Sequence, residues 1–147
     1  MSFTKHIYHI VFRTKNSVPA ICVEHENVLY RYIWGICKNE HVFLHRINGM
    51  PDHIHLLVEI PASLAVSAFV QKLKQSVSLF LRNHKIEFPF FVAWAEGYAS
   101  LTYAEKDIPV IKNYIANQKE HHLKCSYFDE IKILLDENGI KYDEKYL

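Results

Sequence analysis

The sequence predicts an α+β fold of the ferredoxin-like type, a split βαβ arrangement in which two helices cover one face of a four-stranded antiparallel sheet. Segments rich in β-branched and aromatic residues alternate with two amphipathic segments in the order β-α-β-β-α-β. A turn sequence joins the second and third strands, and two more helical segments follow the fourth strand. At this length we expect one domain, residues 1–147.

The first two elements are a strand and a helix. Residues 3–14 are mostly β-branched and aromatic, which predicts a strand that ends before the Asn-Ser-Val-Pro sequence at 16–19. Residues 22–39 carry apolar side chains at helical spacing, with acidic residues in the first turn, where they interact favourably with the helix dipole. This segment predicts the first helix.

A β-hairpin and a second helix come next. Residues 41–47 and 53–60 predict two strands, and residues 48–52 (Asn-Gly-Met-Pro-Asp) predict the turn between them. Residues 63–84 carry apolar side chains at i, i+3 and i+4 intervals, the pattern of an amphipathic helix. Residues 90–103 are aromatic and β-prone, which predicts a fourth strand with a bulge or close approach at its glycine, Gly97.

Two helices are predicted after the fourth strand. Asp107 is a good N-cap and Pro109 is tolerated in a first turn, so residues 107–123 predict a third helix. Ser126 begins a sequence resembling a capping box, and Gly139 closes the short last helix.

The distribution of charge and the hydropathy of the sequence limit the partners that we expect. Residues 1–104 carry ten Lys and Arg against seven Asp and Glu, whereas residues 105–147 carry seven against nine, so a polyanion should meet the first part. The longest purely apolar run, residues 88–95, is far shorter than the ~18 residues that span a bilayer, and the N-terminus does not resemble a signal peptide. We therefore expect a soluble, cytoplasmic protein with no membrane partner.

A pair of histidines in the third strand is a candidate metal site. Because side chains alternate along a strand, Ile54, Leu56 and Val58 share one face, and His53 and His55 point together to the other. Two imidazoles one pleat apart can each give one nitrogen to the same cation. The alternative is two solvent-facing histidines in a chain that has ten of them, and the pair alone leaves both interpretations open.

The third helix adds two more candidates. Tyr114 and Gln118 are four residues apart and are expected to share a helix face. The phenol could act as a nucleophile, and the amide oxygen could be a third metal ligand. Considered separately, a helical tyrosine is more often an amphipathic residue at the edge of the core.

Together these residues resemble a known family. The segment Met50–Val58, with its His-hydrophobic-His triplet, and the later Tyr114–Gln118 resemble the single-tyrosine HUH transposases. That family comprises small insertion-sequence transposases that act on single-stranded DNA and relatives associated with repetitive extragenic palindromes (REP). The resemblance extends over nearly the whole chain, at Tyr8–Lys15, at Leu73 and Lys74, and at Trp94, Gly97 and Tyr98.

The resemblance implies a DNA transposase in which His53, His55 and Gln118 bind a divalent cation and Tyr114 attacks single-stranded DNA. The products would be a 5′-phosphotyrosine and a free 3′ hydroxyl, which permits strand transfer. The family implies Mg²⁺ or Mn²⁺, whereas two imidazoles and one amide favour Zn²⁺ or Mn²⁺ by donor type, so Zn²⁺ remains an alternative.

The resemblance further implies single-stranded DNA with hairpin-forming ends as the partner, a homodimer and association with the nucleoid. The candidates for phosphate contacts are basic residues of the first 104 positions, namely Lys5, Arg13, Lys15, Lys72, Lys74 and Arg82.

Two other functions remain as alternatives. One is a non-catalytic, domesticated protein that binds single-stranded or hairpin DNA, and the presence of all four candidate site residues argues against it. The other is a ferredoxin-like metal or metabolite sensor whose histidines bind zinc, which leaves Tyr114 and Gln118 unexplained.

Overall fold

The fold is a four-stranded antiparallel sheet with helices on both faces, described by a computed structural model covering residues 1–147. The strands lie in the order β2-β3-β1-β4, consistent with the predicted ferredoxin-like split βαβ topology. Their bounds are β1 Ile7–Arg13, β2 Phe43–Met50, β3 His53–Glu59 and β4 Ala99–Tyr103. The α-helices are α1 Glu26–Asn39, α2 Val66–Asn83, α3 Ile108–Ala116, α4 Gln118–His121 and α5 Tyr127–Glu137.

The main core lies between one sheet face and helices α1 and α2. Alternate residues of β1 and β3, such as Phe12, Ile54 and Leu56, pack there against Ile33 of α1 and Leu73 of α2. The apolar stripes predicted for the two helices are buried as expected. No helix is both long and apolar enough to cross a membrane.

The opposite sheet face is covered by the C-terminal helices, and this corrects the interpretation of His53 and His55 as solvent-facing. Ile108 and Ile115 of α3 pack on Leu57 of β3. Helix α5 contributes a second apolar cluster against β1 and β4, made by Ile131, Leu134, Leu135, Val11 and Leu101. Because both sheet faces are covered, β3 is buried from His53 to Val58.

The hairpin is tighter than the sequence predicts. Strand β2 continues to Met50, so Asn48 and Gly49 belong to the strand and not to the turn, which is only Pro51 and Asp52. A Cβ added at Gly49 would lie 2.2 Å from the backbone oxygen of His53, so the close approach of β2 to β3 requires glycine.

The fourth strand and the third helix are shorter than predicted. Most of the predicted strand 90–103 is a loop, in which Gly97 has a φ of +79° and Trp94 pairs with Thr14 in an isolated bridge. The predicted helix 107–123 breaks at Asn117, so α3 and α4 are separate helices. Backbone propensity did not reveal the break because it is stabilised from outside: the Asn48 amide donates hydrogen bonds to the last carbonyls of α3, at 3.0 and 3.1 Å.

Candidate active site

The two strand histidines converge on one point beneath the C-terminal helices. His53 and His55 are both fully buried. In each ring, Nδ1 contacts a neighbouring side chain. Nδ1 of His53 is 2.7 Å from Oδ1 of Asp52, and Nδ1 of His55 is 2.8 Å from Nε2 of His9. The Nε2 atoms of both rings face the same carboxylate oxygen, Oε1 of Glu130, at 3.2 and 3.1 Å. This is the orientation of paired ligands whose second nitrogen is fixed by a neighbouring group.

Tyr114 and Gln118 reach the same point, although the helix breaks between them. The Oε1 atom of Gln118 lies 3.3 Å from Nε2 of His53. The Gln118 amide donates to Oε2 of Glu130 at 2.8 Å, and the Tyr114 hydroxyl donates to the same oxygen. All four predicted residues of the catalytic and metal sites therefore lie together in one chain.

Three residues of the site were not predicted: Glu130 of α5, His9 of β1, and His122, whose Nε2 lies 2.8 Å from Oε1 of Glu130. The sequence holds a signal for the first two. Glu130 occupies the apolar stripe of α5, between Tyr127 and Leu134 at helical spacing, where a carboxylate is out of place. His9 shares its sheet face with apolar residues two positions before and two positions after it, Ile7 and Val11.

Hydrogen bonding sets the charge of the carboxylate at the centre. Burial alone raises the pKa of Glu130, but hydrogen bonds from His122, His53 and His55 outweigh burial and hold the pKa well below its usual range. For His53, burial lowers the pKa, and hydrogen bonds to Asp52 and Glu130 more than reverse this, so the pKa is raised overall. Burial is the main reason that the pKa of His55 falls to about 4. The centre therefore combines an anionic carboxylate with an imidazole kept neutral.

The Tyr114 phenol is not ionised in this environment. Burial raises its pKa above the usual value, and the hydrogen bond to the anionic Glu130 raises it further. A nearby cation or a proton acceptor is needed before this oxygen can attack.

The donor set fits a divalent cation. One ligand atom from each of His53, His55, His122 and Glu130 lies within 4.8 Å of the others, and the Gln118 oxygen is adjacent. Neutral imidazole nitrogens, a carboxylate oxygen and an amide oxygen are ligands of divalent metals.

One of the predicted phosphate contacts, Arg13, lies beside the site. Arg13 pairs with His53 in the β1–β3 register, and its guanidinium donates to the backbone oxygen of Leu147 at 2.9 Å. Lys15 follows in an exposed turn.

The other four basic candidates have protein partners elsewhere. Lys74 and Arg82 of α2 donate to backbone oxygens of the loop before β4, at Ala95 and Val92. Lys5 pairs with Glu59 and Glu105, and Lys72 pairs with Glu40.

Known proteins resemble this chain in sequence and in structure. A sequence model of the family described as "Transposase IS200 like" matches residues 2–118. Transposases for insertion sequence element IS200 from Salmonella typhimurium and Salmonella typhi are each 32% identical over 117 residues, which covers 77% of this chain and 76% of theirs.

Two solved structures share the fold. A crystal structure from Deinococcus radiodurans R1, described as that of a transposase, superimposes with a TM-score of 0.61 at 26% identity, covering 80% of this chain and 93% of that one. The REP-associated tyrosine transposase bound to a REP hairpin gives a TM-score of 0.61 at 14% identity, covering 83% and 72%.

An antiparallel sheet with a buried histidine pair facing a tyrosine on a following helix is the arrangement of the single-tyrosine HUH class. The chain belongs to the IS200-like transposase family, and it is a DNA transposase. The matched segment includes His53, His55, Tyr114 and Gln118 but ends before His122 and Glu130.

Proposed function

We propose that this transposase cleaves and rejoins single-stranded DNA through Tyr114, with a divalent cation held by His53, His55 and Gln118. The observation that carries the proposal is the convergence of these four side chains on one point in the folded chain. Residues 1–147 would act as one domain, in the cytoplasm and in association with the nucleoid.

The cation, when bound, supplies positive charge that neutralises charge developing on a phosphate in the transition state. The side chains of the protein hold it and orient the reactants. Asp52 and His9 fix the second nitrogen of His53 and His55, which leaves both Nε2 atoms directed into the site. Gln118 and Tyr114 both donate to the same oxygen of Glu130, which holds the two side chains side by side.

The chemical step is a transesterification. The Tyr114 oxygen forms a bond to phosphorus, the bond from phosphorus to the 3′ oxygen breaks, the phenol gives up its proton, and the 3′ oxygen gains one. The strand on the 3′ side of the cut keeps the phosphate at its 5′ end, as a 5′-phosphotyrosine. The strand on the 5′ side of the cut is released with a free 3′ hydroxyl. Attack by the 3′ hydroxyl of another strand reverses the step without an external energy source, and this is strand transfer.

Mg²⁺ or Mn²⁺ is the proposed cation, with Zn²⁺ as the alternative. Imidazole nitrogens favour Zn²⁺ or Mn²⁺, and oxygen ligands favour Mg²⁺ or Mn²⁺. Mn²⁺ therefore suits both the nitrogen and the oxygen ligands of this site.

The proposed DNA partner is single-stranded DNA with hairpin-forming element ends. The solved REP-associated tyrosine transposase, which shares this fold, is bound to a REP hairpin, and the basic excess of residues 1–104 suits a polyanion. Arg13, opposite His53, is the proposed phosphate contact at the site, and Lys5, Lys15, Lys72, Lys74 and Arg82 are the other proposed contacts. We propose a homodimer because strand transfer must hold two element ends at once, and a symmetric pair is the commonest solution.

A covalent adduct tests the proposal. The protein is incubated with Mn²⁺ or Mg²⁺ and single-stranded oligonucleotides from the flanks of its own gene, labelled at the 3′ end. Wild type should form a species that resists denaturation and keeps the label, and Tyr114→Phe should bind the same DNA without forming it.

Tyr127→Phe is the matched control, because its ring lies 4.8 Å from that of His53. Loss of the adduct in that variant, but not in Tyr114→Phe, would reassign the nucleophile. If wild type forms no adduct with any flanking strand, the proposed reaction is wrong.

A further inference from the structure

Glu130 stands at the centre of the site but lies outside the segment that matches the family, which ends at residue 118. We infer that Glu130 is a further ligand of the divalent cation, supplied by α5, and that its second oxygen positions the Tyr114 phenol beside that cation. The inference rests on the proposed metal centre and adds to it a carboxylate from the C-terminal helix.

The two carboxylate oxygens of Glu130 have separate sets of partners. Oε1 lies 3.2 and 3.1 Å from the Nε2 atoms of His53 and His55, and 2.8 Å from Nε2 of His122. Oε2 accepts hydrogen bonds from Gln118 and Tyr114. One oxygen therefore faces the imidazoles, and the other holds the nucleophile.

The spacing suits coordination. Metal bonds to nitrogen and oxygen are about 2.1 Å long, so neighbouring ligand atoms at right angles around one ion lie about 3.0 Å apart. The separations of Oε1 from the two Nε2 atoms are close to this value. Protons on the imidazoles bridge these contacts, and a cation can replace those protons.

The packing of α5 fixes the position of the carboxylate. Ser126 caps the helix by accepting from the backbone N–H of Asp129, and Ile131 and Leu134 are buried against the sheet. Glu130 is consequently held on the buried face, with 2% of its surface exposed. A carboxylate is costly there unless it is paired, and metal coordination supplies a strong partner.

A carboxylate also changes the cation that the site prefers. Two imidazoles and an amide favour Zn²⁺ or Mn²⁺, whereas an added carboxylate oxygen moves the preference toward Mn²⁺ and Mg²⁺. The C-terminal helix would thus contribute to metal selectivity as well as to affinity.

The test is Mn²⁺ affinity without DNA, measured from the paramagnetic resonance signal of free Mn²⁺ during titration. Glu130→Gln keeps the shape of the side chain and removes its charge, and we expect an affinity about tenfold or more below wild type. Glu137→Gln is the matched control, because it makes the same charge change at an exposed position of α5. Wild-type affinity in Glu130→Gln would overturn the inference.

His55→Ala separates failure of this inference from failure of the metal centre. If wild type binds none of Mn²⁺, Mg²⁺ or Zn²⁺, the proposed centre is wrong and the inference fails with it. If His55→Ala loses binding while Glu130→Gln retains it, the centre stands and Glu130 is not a ligand.

A second variant covers the case in which Glu130→Gln does not fold in chelator, as judged by circular dichroism. Glu130→Asp keeps the charge but withdraws the carboxylate by one methylene. The rise in Tm on adding Mn²⁺ should then be smaller for Glu130→Asp than for wild type, because weaker binding stabilises the folded state less. An equal rise would contradict the inference.

Discussion

Individual side chains in this site depend on neighbours that fix their protonation. His9 illustrates this: it is fully buried, and its Nε2 contacts Nδ1 of His55. Burial, followed by the proximity of His55, lowers the pKa of His9 to about 3. At a pH between these two pKa values, the His9 imidazole is therefore neutral in the folded protein and protonated in the unfolded chain.

The first prediction concerns acid stability in the presence of chelator. Because the folded pKa of His9 lies below its unfolded value of about 6.5, its contribution is present above pH 6.5 and is lost as the pH falls toward 3. One such group costs roughly 2 kcal/mol between pH 7 and pH 5. In His9→Gln, the fall in the free energy of unfolding between these pH values should be smaller by about that amount, as measured by urea denaturation. An unchanged fall would mean that His9 is protonated in the folded protein at pH 5.

At the scale of elements, β2 does more than complete the sheet edge, because its last residues hold both β3 and α3. Gly49 allows close approach to the backbone of His53. Asn48 binds the carbonyl oxygens of Ile115 and Ala116, so the strand fixes the end of the helix that carries Tyr114.

We predict that Gly49→Ala is destabilising, because the new methyl would overlap the backbone oxygen of His53 at 2.2 Å. Overpacking of this kind costs about 1–3 kcal/mol. Gly35→Ala in α1 is the control: nothing lies within 4 Å of the added Cβ, and alanine should stabilise the helix by about 0.5–1 kcal/mol. Thermal unfolding should thus move in opposite directions in the two variants, and an equal shift would contradict the close approach.

Asn48→Ala should weaken both stability and cleavage. Two carbonyl oxygens at the end of α3 lose their donor, with a cost of about 1–3 kcal/mol, and Tyr114 loses part of its positioning. Asn138→Ala is a matched control, since its amide donates in the same way to the Leu134 carbonyl at the end of α5. Adduct formation per folded molecule should fall in Asn48→Ala and not in Asn138→Ala; an unchanged value in Asn48→Ala would show that this residue acts through stability alone.

At the scale of the whole molecule, the end of β1 brings one basic side chain to the site. Arg13 ends β1 directly opposite His53, and the excess of basic residues belongs to the first 104 positions. A single strand bound through these groups should release counterions, so its affinity should depend on salt.

The last prediction is that Arg13→Ala lowers this salt dependence. Each phosphate contact on single-stranded DNA contributes a slope of about −0.7 to the plot of log affinity against log salt, and the variant should lose roughly one such contribution. Lys141→Ala is the control, because Lys141 is exposed within the acidic C-terminal part. Equal slopes in wild type and Arg13→Ala, measured by fluorescence anisotropy, would remove Arg13 from the DNA contacts.

The amino-acid sequence by itself predicted the order of elements and the candidate site residues His53, His55, Tyr114 and Gln118. Period-two alternation in β3 predicted that His53 and His55 point to one face, and helical spacing predicted the amphipathic helices α1 and α2. These features are local, so a short stretch of chain is enough to specify them.

Only the tertiary structure decided what lies opposite those histidines. The break at Asn117, the covering of the second sheet face and the entry of Glu130, His122 and His9 into the site all depend on contacts between distant segments. A carboxylate in an amphipathic helix has the same local pattern whether it faces solvent or the site. Its role is fixed only when α5 packs its apolar residues on β1 and β4 and carries Glu130 between the imidazoles and the phenol.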